Sequence, residues 1–304
     1  MADLVFYLKP LPPFRLDLTV WALRRMPHNE IDRWDGRSYT RVLALDRDLV
    51  KLEVSQPDEN RIVVAVASRG KAVPLKQRIV PLIEKMLGIR KDLARFQKFA
   101  SGTRQVAMLA TDFAGFKPPR FPTIYEALVN AVACQQVSLH VCIVLLNRLA
   151  GAWGRLWTGS GRQARAFPLP EDLARAPLRE LRALGFSATK AGAIIAISAQ
   201  AAAGMDLEGL DKKTDTEVMQ ILTRFPGIGP WSADYAMLRG LGRTHIFPGD
   251  DSGARRSLQL LLALKERPDA RRTGELTRAW HPHAGLLYFH FLLNKLRSKG
   301  YLGP

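Results

Sequence analysis

Two short stretches between residues 225 and 258, FPGIGPWSADYAMLRGLGRTHIFPGDDSGARRSL, carry residue types suited to chemistry. The first is Pro226-Gly227-Ile228-Gly229-Pro230, a break too short for anything but a tight turn. Thr214 with Glu217 spells a capping box ahead of it, and Val218, Ile221, Leu222 and Phe225 form one helical stripe. Pro230 suits the first position of a following helix, on which Trp231, Tyr235 and Leu238 share a face. The order is therefore helix, glycine hairpin, helix. Glycine lets the backbone approach a phosphate with no Cβ in the way, and the first-turn amides of the second helix then form an anion site. The backbone contacts expected from this are the amides of Gly227, Gly229 and Trp231. The carbonyls at Gly227 and Gly229 also suit a monovalent cation that bridges to phosphate. A plain pair of helices with glycine caps gives the same pattern. The second stretch is Asp250-Asp251 after Pro248-Gly249. A carboxylate at a helix start is a good cap, and it is also a group that stabilises developing positive charge.

Other elements must position these groups. Residues 1–85 read as β-rich, with strands expected at Leu4–Leu8, Phe14–Val20, Tyr39–Leu45, Val50–Val54 and Arg61–Ala67. Pro57-Asp58-Glu59-Asn60 reads as a hairpin turn, and Asn29–Trp34 as one short helix. The remainder reads as helical. Thr123 with Glu126 suggests a capping box, Gln135-Gln136-Val137-Ser138 interrupts the helix that follows, and a second helix runs from Ser138 to Ala150 and stops at Gly151. Residues 157–170 read as a loop. Helices then follow over Leu178–Leu184 and Ser187–Ala203, each ended by a glycine. The expected class is α+β, divided into a β-rich unit at 1–85, a helical middle lobe at 86–213 and a helix-hairpin-helix lobe at 214–304.

Composition narrows the partners. Lys and Arg total 45 against 28 Asp and Glu, a formal charge of +17, which favours a polyanion. The basic residues are spread out, with no polybasic block, and no apolar run approaches the ~18 residues a membrane span needs. Asp3 and Lys9 spoil a secretory leader. A cytoplasmic, nucleoid-associated protein is expected. Cys134 and Cys142 are the only cysteines, too few for a four-cysteine cluster and wrongly spaced for zinc, so they read as small buried helix residues. No cofactor is expected.

The run from 225 to 258 resembles the helix-hairpin-helix base-excision glycosylases, and more narrowly the bacterial 3-methyladenine DNA glycosylase type II family. FPTIYEALVNAVACQQVS (121–138) is similar to that family's wedge region and GFSATKA (185–191) to its turn before a long helix. LDLTVWALRR and WDGRSYTRVL are similar to its extra N-terminal domain, which implies a TATA-binding-protein-like fold there. The resemblance implies a monofunctional glycosylase that flips an alkylated base, such as 3-methyladenine or 7-methylguanine, out of duplex DNA. It implies Asp251 as the carboxylate that stabilises an oxocarbenium-like sugar, Trp231 and Tyr235 as pocket aromatics, and Gln136 as the wedge, with Gln135 the competing choice. Ser252, Arg255 and Arg256 would follow the DNA strand. Bifunctional relatives carry a lysine at the position of Trp231, and this chain has no Lys between Lys213 and Lys265. Two departures bear on the lesion. Leu292 stands where the family has another pocket Trp, and Ala284 where it has an Arg, so that Tyr288 or His290 compensates, His290 also reading as a buried helix residue. The same fold acting on deaminated or oxidised bases is the alternative, as is a non-catalytic DNA binder. A monomer is expected.

Overall fold

The computed structural model describes residues 2–45, 48–68, 72–159 and 163–302. The chain opens with β1 (Ala2–Leu8), α1 (Leu16–Arg24), β2 (Arg33–Trp34), β3 (Ser38–Leu45), β4 (Asp48–Asp58) and β5 (Arg61–Ser68). These strands form one antiparallel sheet in the order β1-β5-β4-β3-β2. In β5 alternate residues Ile62, Val64 and Val66 are buried, the two-residue period of a sheet with one covered face. A helical part follows: α2 (Ala72–Leu87), α3 (Ala94–Ala100), α4 (Arg104–Asp112), α5 (Ile124–Cys134) and α6 (Leu139–Trp153). After a two-stranded ribbon of β6 (Leu156–Trp157) and β7 (Ala164–Arg165) come α7 (Pro170–Leu173), α8 (Leu178–Ala183) and α9 (Ala188–Ala202). The chain ends with α10 (Asp215–Leu222), α11 (Pro230–Ala236), α12 (Ser252–Leu261), α13 (Ala270–Arg278) and α14 (Ala284–Ser298). The α+β class expected from the sequence is the one observed. Among the described residues no helix is long and apolar enough to cross a membrane.

Four of the five expected strands form. Phe14–Val20 does not: it belongs to α1, which buries Leu16, Val20 and Leu23 in the core under the sheet and Leu18 and Ala22 in a second core. A helix covered on two sides has no polar stripe, so its sequence imitates a buried strand. The short helix expected at Asn29–Trp34 is also absent. The Asn29 side-chain oxygen accepts from the amides of Ile31 and Asp32, both at 2.8 Å, which makes a turn that leads into β2. The helix begun at Ser138 runs through Gly151 to Trp153. Thr123 caps α5 by accepting from the Glu126 amide, but Glu126 does not return the bond.

Its carboxylate goes elsewhere. Arg41 on β3 lies in the core at 1% exposure, its guanidinium 2.7 Å from Asp32 Oδ1 and 2.7 Å from Glu126 Oε1. Tyr39 donates to the same Asp32 oxygen at 2.7 Å. This ionic cluster fastens the sheet to α5. The two cysteines, expected to pack separately, are joined as a disulfide that ties the end of α5 to α6.

The second core packs α1, α3 and α4 against α14 and includes Leu18, Phe96, Phe113, Phe116, Phe289 and Leu293. His290 lies inside it, its Nδ1 2.7 Å from the Leu286 carbonyl oxygen and its ring against Phe96, Phe113 and Phe116. Burial lowers its pKa to about 4. In the unfolded chain an imidazole titrates near ~6.5, so on acidification the unfolded state takes the proton first. The stability from a neutral His290 is complete above about pH 6.5 and lost as the pH falls towards 4, up to about 3 kcal/mol in all. His290→Leu should therefore be less acid-labile than the wild type. Urea midpoints at pH 7.5 and 4.5 test this: the variant should gain relative to the wild type at the lower pH, and an equal difference at both would refute it.

Candidate active site

The hairpin forms as its residues require. Thr214 and Glu217 make the reciprocal capping box at the start of α10. Gly227 has φ +78, and a Cβ placed on it would lie 2.9 Å from the Ala193 Cβ, so the turn needs glycine both for its conformation and for its approach to α9. Ile228 is buried between the helices and pins the turn. Gly229 is the N-cap of α11, and Pro230 opens it. The two carbonyls named for a cation are already bonded: Gly227 O accepts from Gln135 Nε2 at 2.7 Å, and Gly229 O from the Ala233 amide at 3.0 Å. Each carbonyl oxygen keeps a second lone pair.

Gln135 is the joint between the hairpin and the loop after α5. Its amide also donates to Ser232 Oγ at 2.8 Å, and its carbonyl accepts from Lys190 Nζ at 2.6 Å. That turns Gln135 inward. Gln136, the next residue, is exposed at the tip of the loop and holds a left-handed backbone, φ +51. A residue other than glycine, asparagine or aspartate is uncommon in that region, at a cost of about 1–2 kcal/mol.

Beyond α11 the chain makes a π-helical turn over Met237–Leu241, leaves it at Gly242 with φ +74, and reaches Asp251 through an irregular segment. Asp251 itself is the N-cap of α12, its Oδ1 accepting from the Ala254 amide at 2.8 Å. Its other oxygen, Oδ2, accepts from the Tyr288 hydroxyl at 3.0 Å. The carboxylate is thus fixed in direction by one bond on each oxygen while staying partly accessible. Asp250, the other carboxylate of the pair, is not the cap: it is exposed and paired with Arg255 at 2.8 Å. Ser252 and Arg256 are exposed, whereas the Arg255 side chain is largely covered.

Tyr288 was read from the sequence as a wall of a base pocket, and the structure gives its hydroxyl a definite task. Burial, reinforced by the neighbouring Asp251 charge, drives its pKa well above the ordinary value, so it stays protonated and serves as a donor. Its ring stands edge-on to Phe247 at 5.7 Å. Trp231 and Tyr235 stack at a 32° tilt with centroids 5.4 Å apart, Trp231 partly exposed and Tyr235 buried. The indole Nε1 of Trp231 has no hydrogen-bond partner. Leu292 is partly buried and Ala284 buried in the second core, and His290 faces that core too.

Three residues of the site have no assigned role in the sequence reading. Arg25, the left-handed C-cap of α1 with φ 64, donates to the Tyr235 hydroxyl at 2.8 Å and to Asn130 Oδ1 at 2.5 Å. Arg239 lies over the rings of Phe121, Phe289 and Tyr235 at 5.0, 5.2 and 5.6 Å. Asn130, in the middle of α5, fixes Arg25. Arg239 and Asn130 are polar residues in apolar helical runs, a signal of a specific buried contact that does not say with whom, whereas Arg25 follows Arg24 at a helix end and carries no such signal.

With this geometry in place, known proteins supply the family. Residues 129–283 match the model for the HhH-GPD superfamily base excision DNA repair proteins. The chain is 27% identical over 270 residues to the DNA-3-methyladenine glycosylase of Bacillus subtilis (strain 168), covering 88% of this chain and 89% of that one. It is 33% identical over 141 residues to DNA-3-methyladenine glycosylase 2 of Escherichia coli (strain K12), covering 45% of this chain and 48% of the relative. Its fold is similar to the 3-methyladenine DNA-glycosylase from Archaeoglobus fulgidus, with a TM-score of 0.83 at 23% identity, covering 95% of this chain and 97% of that one. Two further structures with this fold are glycosylases in complex with DNA: an 8-oxoguanine glycosylase/lyase of Clostridium acetobutylicum, with a TM-score of 0.76 at 16% identity, covering 98% of each chain, and the 3-methyladenine DNA glycosylase of Schizosaccharomyces pombe, with a TM-score of 0.57 at 22% identity, covering 69% of this chain and 100% of that one. The helix-hairpin-helix, the aspartate one loop beyond it and the match over half the chain agree: this protein belongs to the HhH-GPD superfamily of base excision DNA repair proteins.

Proposed function

We propose that the protein is a monofunctional DNA glycosylase that flips alkylated bases, 3-methyladenine and 7-methylguanine among them, out of duplex DNA and releases them by hydrolysis. The observation that carries this reading is the Asp251 carboxylate, oriented on both oxygens yet still accessible, with the Trp231–Tyr235 pair on the helix that precedes it. The near-full-length likeness to a DNA-3-methyladenine glycosylase supports the substrate class. As the base departs, the sugar acquires oxocarbenium character, and a preoriented carboxylate stabilises that charge without reorganising. Tyr288, by holding Oδ2, keeps the charge aimed. The lack of a lysine at Trp231 supports simple hydrolysis over Schiff-base strand cleavage. Gln136, exposed at the loop tip, is the side chain we assign to the hole left by the flipped base, and Gln135 is the tether behind it.

The finer domain reading belongs with this proposal. Residues 1–85, 86–213 and 214–304 form three successive segments, and the first is of TATA-binding-protein type, supported by its helix after β1 and the sheet order β1-β5-β4-β3-β2. The enzyme acts as a monomer on nucleoid DNA, a location favoured by the +17 charge.

Asp251→Asn tests the chemistry cleanly, because asparagine also caps a helix and the fold should survive. Single-turnover release of methylated bases from duplex DNA should fall by about 10²-fold or more, with DNA binding retained. Release at the wild-type rate would remove Asp251 from the mechanism. Two arginines test the strand contacts. Arg256→Ala, which removes an exposed charge, should lower the slope of log affinity against log salt by about 1, whereas Arg255→Ala, already paired with Asp250, should lower it by less. A slope left at the wild-type value in Arg256→Ala would place the phosphates elsewhere.

A further inference from the structure

The disulfide between Cys134 and Cys142 closes a ring of chain over residues 135–141, and Gln136 is at its tip. The ring is tied on both sides. Before the tip, Lys190 donates to the carbonyl oxygens of Ala133 and Gln135, at 3.1 and 2.6 Å, and the Gln135 amide reaches the hairpin. After it, Ser138 caps α6 by accepting from the Val141 amide at 3.3 Å. The disulfide joins the two sides directly. A left-handed backbone at a residue such as Gln136, with φ +51, persists only where its surroundings hold it. Closing the ring at its base does this, because it removes conformations that the open loop would sample.

The bond is also placed for exchange with small thiols. Cys134 is partly exposed, whereas Cys142 is buried. The Arg25 guanidinium lies 3.5 Å from Cys134 Sγ. A positive charge beside a sulfur favours its thiolate, the form in which cysteine attacks and leaves. Exposed disulfides are the labile and regulatory ones, and in a reducing compartment, the location proposed above, those that form are ordinarily transient or sensing.

We propose that Cys134 and Cys142 form a redox switch on base flipping: the disulfide holds Gln136 in place to fill the hole left by the base, and reduction by a small thiol releases it. This rests on the alkylbase reading and on the assignment of Gln136 above. The exchange balances. A thiolate attacks Cys134 Sγ, the S–S bond breaks, and the Cys142 sulfur leaves and takes a proton. A second thiol then frees Cys134 from the mixed disulfide, so two small thiols become one small disulfide and the protein gains two S–H groups. The reverse exchange with a small disulfide restores the bond. Flipping costs least where the lesion has no partner base, so the switch acts on paired lesions and spares the chemistry at Asp251.

The test separates flipping from chemistry. Single-turnover release of 7-methylguanine is measured on two duplexes, one with cytosine opposite the lesion and one with an abasic-site analogue there. The protein is used after oxidised glutathione and after dithiothreitol, with its thiols counted by alkylation and mass in each state. Release from the paired duplex should be about tenfold faster in the oxidised state, the rate equivalent of one backbone preference of this kind. Release from the unpaired duplex should be nearly the same in both states. Cys134→Ala, which cannot form the bond, should match the reduced wild type after either reagent. A protein that forms no Cys134–Cys142 bond in oxidised glutathione would overturn the proposal. Equal rates on the paired duplex in the two states would overturn it too, as would the same loss on both duplexes, the mark of general loosening. A wild type that binds both duplexes but releases no base in either state would overturn the alkylbase reading, and the switch with it.

Discussion

The buried guanidinium of Arg41 joins the N-terminal sheet to the helical part of this protein. Arg41 comes from the sheet, Glu126 from α5 and Asp32 from the turn before β2, and all three are buried. The energetic logic is that of any enclosed charge: removing one partner leaves the others uncompensated, so the three elements keep their relative placement or expose the whole cluster to water. Helix α5 then transmits that placement. Asn130 in its middle receives Arg25, and Gln135 at its end grips the hairpin through Gly227 and Ser232. The sheet, α1, the loop tip at Gln136 and the hairpin are thus indexed against one helix, which is what a site assembled from distant parts of the chain needs.

Asp251 shows how local structure and chemistry share an atom set. Capping α12 uses one oxygen and leaves the other for Tyr288, so the helix start and the direction of the carboxylate are one constraint. In the reaction we propose, a carboxylate free to rotate would spend part of its time pointing away from the developing charge, and the cap would turn a common stabilising device into preorganisation.

The hairpin, its capping box, the glycine and proline positions and the aspartate beyond were legible in the sequence because each depends on residues within a few positions of one another. Most of what was not legible depends on how elements meet in space, often with partners far along the chain. Phe14–Val20 looked like a strand because α1 is covered from two sides, and Glu126 looked like half a capping box because nothing local announces Arg41. Asp250 and Asp251 are neighbours in sequence with equal capping propensity, and only the reach of Arg255 to one and of Tyr288 to the other separates them. Arg25 and Arg239 carried no signal of their destination at all. Cys134 and Cys142 were read as separate packing residues because their bond depends on how α5 and α6 meet after the loop.

The placement of Arg25 has an evolutionary corollary. It lies outside the 129–283 segment that matches the family, yet it donates to the Tyr235 hydroxyl and to the Asn130 side-chain oxygen, both inside that segment. A change at residue 25 therefore strands the same polar atoms as a change at Asn130 or Tyr235, so two parts of the chain that are far apart in sequence are constrained to vary together.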